Sequence, residues 1–548
     1  MERLYDIFSF VATDRMVFNR LDFWLFFLAF LMVFSLLQKH QLVRSIFITI
    51  VSLFLYYKTS GLFVLLLGLS IIVNFGLGKW IHLAASSKKQ KWIIACSAVF
   101  NLFFLAYFKY AYFFTESYNE LFHTKYAIVN WFAQTGNGFF GEGFFETKIL
   151  LPAGVSFFTF QSISYVVDIY RKEIKPVRNL FDYAFYVTYF PHVIMGPIVR
   201  ARDFIPQIYQ PFSLTKNEFS SAVVLVVKGL IKKIVLADYI AVHFIDKVVD
   251  APEAYPGFVS ILAMWGYSLQ IYGDFSGYTD IAIGISRMMG FELLPNFNSP
   301  YKANSVADFW RRWHKSLGSW LKDYLYIPLG GNKSGGIGTY IATTFIFIFL
   351  FFILQWYALI YIYLGLTLLL IIPFFRKFLH RDLNLLITMV VGGLWHGASE
   401  NFVIWGAMNG AALIFYNYWK KISPYENKTW WIVHFWKLFI TFNFITFTRI
   451  WFRLDGENEP MQLLNHVWNH FDFKWETFVT VLTTYQAVFW IMLAGFIVHW
   501  LPEKIKNYWE QAFAKLPIVV QAISVAVILF LVYQAVSDTF KPFVYFQF

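Results

Sequence analysis

Apolar runs of 17 to 20 residues recur along this 548-residue chain, among them Leu21 to Leu37, Gly61 to Gly78, Trp92 to Phe108, Tyr357 to Phe375 and Pro517 to Val536. At 1.5 Å rise per residue each is long enough to cross about 30 Å of hydrocarbon as a helix. With further, shorter or interrupted runs counted, roughly eleven to fourteen spans are expected. The chain is 58% apolar and only 14% charged, far from the roughly 25% charged residues of a soluble domain. These features predict an all-α polytopic membrane protein in which residues 1–548 form a single membrane-embedded domain. The longest polar excursions, about 110 to 148 and 453 to 480, are too short and too aromatic for a core of their own.

The net charge of +12 implies no nucleic-acid partner, because the basic residues cluster in short loops, as the positive-inside rule describes. Placing Ser86-Ser87-Lys88-Lys89-Gln90-Lys91 in the cytoplasm puts Lys39 and Arg44 on the same side and predicts an outer N-terminus. The same parity sends the 110–148 loop outside and Arg171 to Arg178 inside. Lys504, Lys506 and Lys515 precede the last run, so the final dozen residues are expected outside as well. The opening MERLYDIF lacks a basic region followed by an apolar core and cleavage site, and no removed signal peptide is expected. Cys96, the one cysteine, excludes disulfides within the chain and cysteine-rich metal sites.

The most chemically loaded stretch is Pro295 to Gly331. At 100° per residue, Trp310, Trp313, Leu317, Trp320, Leu321 and Tyr324 fall within an arc of roughly 120°, opposite Arg311, Arg312, Lys315, Ser319 and Lys322. The spacing predicts one amphipathic, basic, Trp-rich helix over 310–324. His314 projects from the apolar stripe. It is either a core histidine bonded to a backbone carbonyl or an imidazole lining a cavity.

A second focus is Gly392-Gly393-Leu394-Trp395-His396-Gly397-Ala398-Ser399. His396 is the one ionisable residue between Leu383 and Ser399, and an intramembrane ionisable group marks a functional site by default. The flanking glycines allow close approach of a backbone or a substrate. Glu400 would reach the ring if the helix continued. Hydroxyls and an amide recur between Val155 and Tyr165, a composition that usually bonds neighbouring helices. Pro191, Gly196 and Pro197 break the run around His192, which calls for protein or a cavity beside the freed backbone. Gln270, Asp274 and Asp280 lie within an otherwise span-like run, with Arg287 or the Arg311-Arg312 pair as available counter-ions.

Other signals are weaker. His466 and His470 stand at i, i+4, but no third ligand or HExxH pattern accompanies them, and no metal is expected. No G-x-S-x-G elbow, P-loop or dinucleotide fingerprint is present.

Five motifs occur in order: LPAGVSFFTFQSISYVVDIYR, FPHVIMGPIVRARDF, YGDFSGYTDIAIGISRMMGF, NFNSPYKANSVADFWRRWHKSLGSWLKDYLYIPLGGN and GGLWHGAS. Through about residues 150–420 the chain resembles the bacterial branch of the membrane-bound O-acyltransferases, most closely its alginate O-acetylation members. The resemblance implies a ring of helices around a thinned centre, where cytoplasmic and outer funnels meet near two histidines, in a bacterial cytoplasmic membrane. His396 and His314 match those catalytic positions. It implies His396 as general base, worth about 10² to 10⁴ in rate, with His314 positioning the donor or stabilising the oxyanion. Trp310, Arg311, Arg312, Trp313, Lys315, Asp274 and Trp395 would line the donor path or funnel. The donor would be acetyl-coenzyme A or an acyl-carrier protein, with no tightly bound cofactor. An exported or membrane-anchored second acyltransferase would complete transfer to an extracytoplasmic polysaccharide.

The chain ends Phe543-Val544-Tyr545-Phe546-Gln547-Phe548. These residues read either as an interfacial aromatic belt or, by resemblance to the Phe-x-Tyr-Phe ending of the small partner peptide in teichoic-acid D-alanylation, as an acyl relay through Tyr545. Two departures from the family pattern stand out: an extra-long apolar segment at 339–375 that reads as one additional hairpin, and Glu400-Asn401 where an aromatic is expected. Direct acylation of a lipid or small hydroxyl compound, and a transporter built on the broken helix and the buried Asp and His residues, are the alternative readings.

Overall fold

The computed structural model describes Phe10, residues 16–143, 145–194, 196–354, 356–456 and 458–536, and Phe543. Every regular element among these is a helix. Gln41–Leu83 and Ser87–Phe122 are long and apolar enough to cross a membrane. A third segment qualifies if Trp475–Thr484 and Gln486–Trp500, bent by 86° at their junction, count as one. Leu21–Leu37, Ile337–Phe352, Ala358–Ile371 and Ile518–Tyr533 are shorter apolar helices. Many of the remaining helices are shorter still, among them Phe190–Val193, Val306–Arg312 and Lys315–Leu321, and the long Gly257–Met288 helix carries Asp274 and Asp280.

The chain divides into two compact units. In the first, Met1–Ala222 with Ala282–Leu294, the core is built of large aromatics: Tyr165, Tyr183, Tyr186 and Tyr189 are all fully buried. Each phenol has a polar partner to offset that burial. Tyr189 pairs with Ser286 at 2.9 Å, and Tyr186 donates to the Val199 carbonyl at 3.0 Å. The helices Val64–Leu83 and Ser87–Leu105 are locked by a reciprocal amide pair. Asn101 Nδ2 donates to Asn74 Oδ1 at 2.8 Å and Asn74 Nδ2 to Asn101 Oδ1 at 3.1 Å, so each buried amide satisfies the other. The break around Pro191 takes the form of a short helix, Phe190–Val193, after Leu180–Thr188. His192 Nε2 lies 2.8 Å from Gln161 of the Val155–Tyr170 helix.

The second unit comprises Val223–Ile281 and Pro295–Phe548. Residues 257–281 of the Gly257–Met288 helix belong to it and pack against a π-helical stretch, Ile231–Tyr239. An ion-pair network joins them. Lys233 Nζ lies 2.6 Å from Asp274 and 2.7 Å from Asp238, while Asp280 pairs with Lys232 at 2.8 Å and Lys228 at 3.5 Å. The arginines expected from the sequence are engaged elsewhere: Arg287 meets Glu292, and Arg311 and Arg312 meet Asp308. The reason is register: Lys232 and Lys233 sit in the π-helical turns and Lys228 in the last turn of the preceding α-helix, Lys216–Leu230, which brings all three within reach of the acidic helix. The 339–375 segment is a hairpin of Ile337–Leu354 and Ala358–Ile371, with Thr344 bonded to Tyr363 across it at 2.8 Å.

Candidate active site

The expected continuous helix over 310–324 is two helices, Val306–Arg312 and Lys315–Leu321, with Trp313 extended and His314 left-handed (φ +45°, ψ +53°) between them. The cause is the incoming chain at 296–298. Within an unbroken helix the Ser316 amide would donate to the Arg312 carbonyl. Instead Asn298 N donates to Arg312 O at 2.9 Å, Asn296 Oδ1 accepts from Ser316 N at 3.1 Å, and Asn296 O accepts from Lys315 N at 2.9 Å. The amphipathic division nonetheless holds, with Trp313, His314, Leu317, Trp320 and Leu321 buried and Arg311 and Lys315 exposed.

Asn296 also fixes the chemistry of His314. Its Oδ1 accepts from the Ser316 amide and hydroxyl, so it is the oxygen end of the side chain that lies 3.2 Å from His314 Nδ1. An oxygen facing Nδ1 requires that nitrogen to carry the proton. The lone pair of the neutral ring is therefore on Nε2.

His396 closes the Pro373–His396 helix, and Gly397 is extended. A new helix, Glu400–Ile422, begins after Ser399, so Glu400 is not one helical turn beyond His396, as a continued helix would have required. The two helices approach closely through glycine. A methyl at Gly393 would lie 2.2 Å from the Phe402 carbonyl oxygen, and one at Gly406 2.5 Å from that of Met389. Only a residue without Cβ permits such contact.

These turns bring the two histidines together. Both are at least 97% buried, as their exposures of 1% and 3% show, and their ring centroids are 6.2 Å apart. Phe275 lies edge-on to His314 at 4.6 Å, and Trp395 lies 5.6 Å from it. Trp405 and Phe452 flank His396 at 5.2 and 5.3 Å. His396 lines a narrow pocket, with Trp310, Trp313, Phe309, Trp405, Asn409 and Arg449 among its other walls. The walls are mostly aromatic, with His396, Asn409 and Arg449 among the polar points.

Of the residues singled out from the sequence, His396, Trp310 and Trp313 line this pocket, and His314 and Trp395 adjoin it through ring contacts. Arg312 is half-buried against Asp308. Asp274 is buried in its ion pair with Lys233. Tyr545 lies outside the described residues, but Phe543 is described and buried, against Phe275 at 5.8 Å and Tyr278 at 5.1 Å. Phe275 thus touches both His314 and Phe543. His466 bonds the Tyr255 carbonyl at 2.9 Å. The sequence reading missed Asn296, Asn409, Trp405 and Arg449. Arg449 had a signal, an arginine inside the aromatic run Phe447 to Phe452; Asn296 had none, because its role depends on a crossing in three dimensions.

Residues 170–380 match the model of the MBOAT, membrane-bound O-acyltransferase family. A probable alginate O-acetylase AlgI from Pseudomonas syringae pv. tomato is 35% identical over 376 residues, covering 68% of this chain and 60% of that protein. Across four such relatives the matched region spans 57% to 64% of their length. The peptidoglycan O-acetyltransferase of Helicobacter pylori is 30% identical over 453 residues, 78% of this chain and 74% of the relative. A teichoic acid D-alanyltransferase of Bacillus subtilis is 25% identical over 306 residues, 54% of this chain and 66% of that protein. This chain belongs to the membrane-bound O-acyltransferase family.

Proposed function

We propose that this protein is a membrane O-acyltransferase that takes an acyl group, acetyl in the simplest case, from a cytoplasmic thioester and delivers it for O-acylation of an extracytoplasmic polysaccharide. The observation that carries this reading is the buried pair His314 and His396, 6.2 Å apart, beside the pocket that His396 lines. The relatives' names support the substrate class: alginate, peptidoglycan and teichoic acid are all cell-surface polymers.

In this reading His396 accepts the proton of an incoming hydroxyl as its oxygen attacks the thioester carbon. The carbon–sulfur bond then breaks, and the proton passes to the departing thiolate. The Nε2 lone pair of His314 holds a donor amide or the acceptor hydroxyl in line, and the aromatic walls exclude water that would hydrolyse the thioester. The exposed Arg311 and Lys315 meet an anionic donor or lipid headgroups. Acetyl-coenzyme A or an acyl-carrier protein supplies the thioester. The fold is a helical ring of eleven to fourteen membrane-embedded helices with two funnels, in a bacterial cytoplasmic membrane, both termini outside.

The first acceptor in this scheme is Tyr545. A phenol of pKa near 10 forms a more reactive ester than an alkyl alcohol does, so the acyl group can move on downhill to a second, exported acyltransferase. The contacts of Phe543 near His314 favour this route. The test is label transfer from acetyl-labelled coenzyme A into protein and glycan by membranes carrying wild type or Tyr545→Phe. Label in the C-terminal peptide of wild type alone supports the relay. Label reaching glycan equally in both leaves the enzyme and removes the relay. Movement of substrate with no thioester consumed from either donor class would make the protein a transporter.

A further inference from the structure

Arg449 lines the same pocket as His396 and is 97% buried, with 3% of its surface exposed. Arg453, four residues on, pairs with Asp246 at 3.0 Å and Asp250 at 3.1 Å. Arg449 has no carboxylate within ion-pair distance among the described residues. Its hydrogen bonds go from Nη1 to the Tyr301 hydroxyl at 2.6 Å and the Ser268 carbonyl at 3.4 Å, and its guanidinium lies 4.7 Å over the Trp313 ring. Nε and Nη2 make no hydrogen bond to the described residues. Beside it on the pocket wall, Trp310 Nε1 is also buried without a hydrogen-bond partner among them.

A buried cation without a counter-ion is costly and calls for a negative charge delivered or created beside it. The pocket is too small for a nucleotide, and an extended phosphopantetheine arm holding its thioester at His396 would carry its phosphate well beyond the walls. One negative charge of the right size does arise there, on the thioester carbonyl oxygen during attack. We infer that Arg449 is a catalytic residue that stabilises this oxyanion, with Trp310 Nε1 as an auxiliary donor. The inference rests on the acyl-transfer reading above. As the acceptor oxygen bonds to the carbonyl carbon and its proton moves to His396, the carbonyl π pair moves onto oxygen, facing the guanidinium. On collapse that pair re-forms the carbonyl, the carbon–sulfur bonding pair leaves on sulfur, and His396 protonates it. Holding Arg449 by Tyr301 and Trp313 before the substrate arrives removes any reorganisation at the moment of reaction.

The test uses the purified full-length protein with acetyl-coenzyme A, and acetonyl-coenzyme A as an unreactive donor analogue. Arg449→Gln should lower kcat by about 10² to 10³, while affinity for acetonyl-coenzyme A changes less than about threefold. Arg449→Lys should recover part of the rate, because charge is kept but the planar fork is lost. The inference is overturned if Arg449→Gln matches wild type, if analogue affinity falls by the same factor as the rate, or if lysine is no better than glutamine. Should the glutamine variant not fold, the lysine variant decides by the same pair of readouts: a rate loss with retained affinity supports the role, and a joint loss ends it. His396→Ala separates the two readings. If it turns over like wild type, acyl transfer at this pocket fails altogether; if it is inactive while Arg449→Gln is normal, only the oxyanion role fails.

Discussion

Asn296 holds His314 by an Nδ1 to Oδ1 hydrogen bond of 3.2 Å, and the same oxygen takes the Ser316 amide at 3.1 Å and hydroxyl at 2.9 Å. One side chain therefore takes a backbone amide freed at the helix break, sets a tautomer and aims a ring. Asn296→Ala should lower acyl transfer about 10²-fold by letting the imidazole shift by the order of an ångström. Transfer rates at matched expression check this; a variant within threefold of wild type would mean that the clamp does not govern His314.

His314 combines backbone strain with chemistry, and the two can be separated. A left-handed residue other than glycine costs roughly 1 to 2 kcal/mol. His314→Gly should therefore be more stable than His314→Ala by about 1 kcal/mol, while both lose transfer activity equally. Thermal unfolding in detergent, read beside activity, makes the comparison. Equal stability of the two would show that the strain is not borne at this position.

The glycine contact behind His396 leaves no room for a methyl. Gly393→Ala would drive a Cβ to 2.2 Å from the Phe402 carbonyl oxygen, and overpacking of this kind costs about 1 to 3 kcal/mol. A fall in unfolding midpoint together with reduced transfer is expected. An alanine variant as stable and as active as wild type would show that the hairpin yields freely.

Removing one partner from the Lys233, Asp274 and Asp238 network leaves an uncompensated buried charge. Lys233→Met should destabilise by about 3 to 5 kcal/mol, and adding Asp274→Leu should recover part of that loss. Unfolding measurements on the single and double variants give the coupling. Additive losses would contradict a direct pair.

Recurrent apolar runs made the helical, membrane-embedded class legible in the sequence, and the isolation of His396 among apolar residues marked it as exceptional. The amphipathic division around Trp313 and Leu317 was legible for the same reason: burial follows the helical period. The break at His314 was not, because it is imposed by Asn296 and Asn298, some 18 positions upstream of the turn they hold. Likewise Lys233 and Lys232, which pair with Asp274 and Asp280, come from π-helical turns whose register no heptad or 3.6-residue pattern encodes. Local periodicity reports which face is buried; it carries no record of which distant chain takes the freed backbone groups.

Acyl transfer at His396 is read out by single-turnover transfer from labelled acetyl-coenzyme A by purified wild type and His396→Ala. In His396→Ala donor binding should persist while the transfer rate falls by about 10² to 10⁴. Transfer by His396→Ala at the wild-type rate would contradict it.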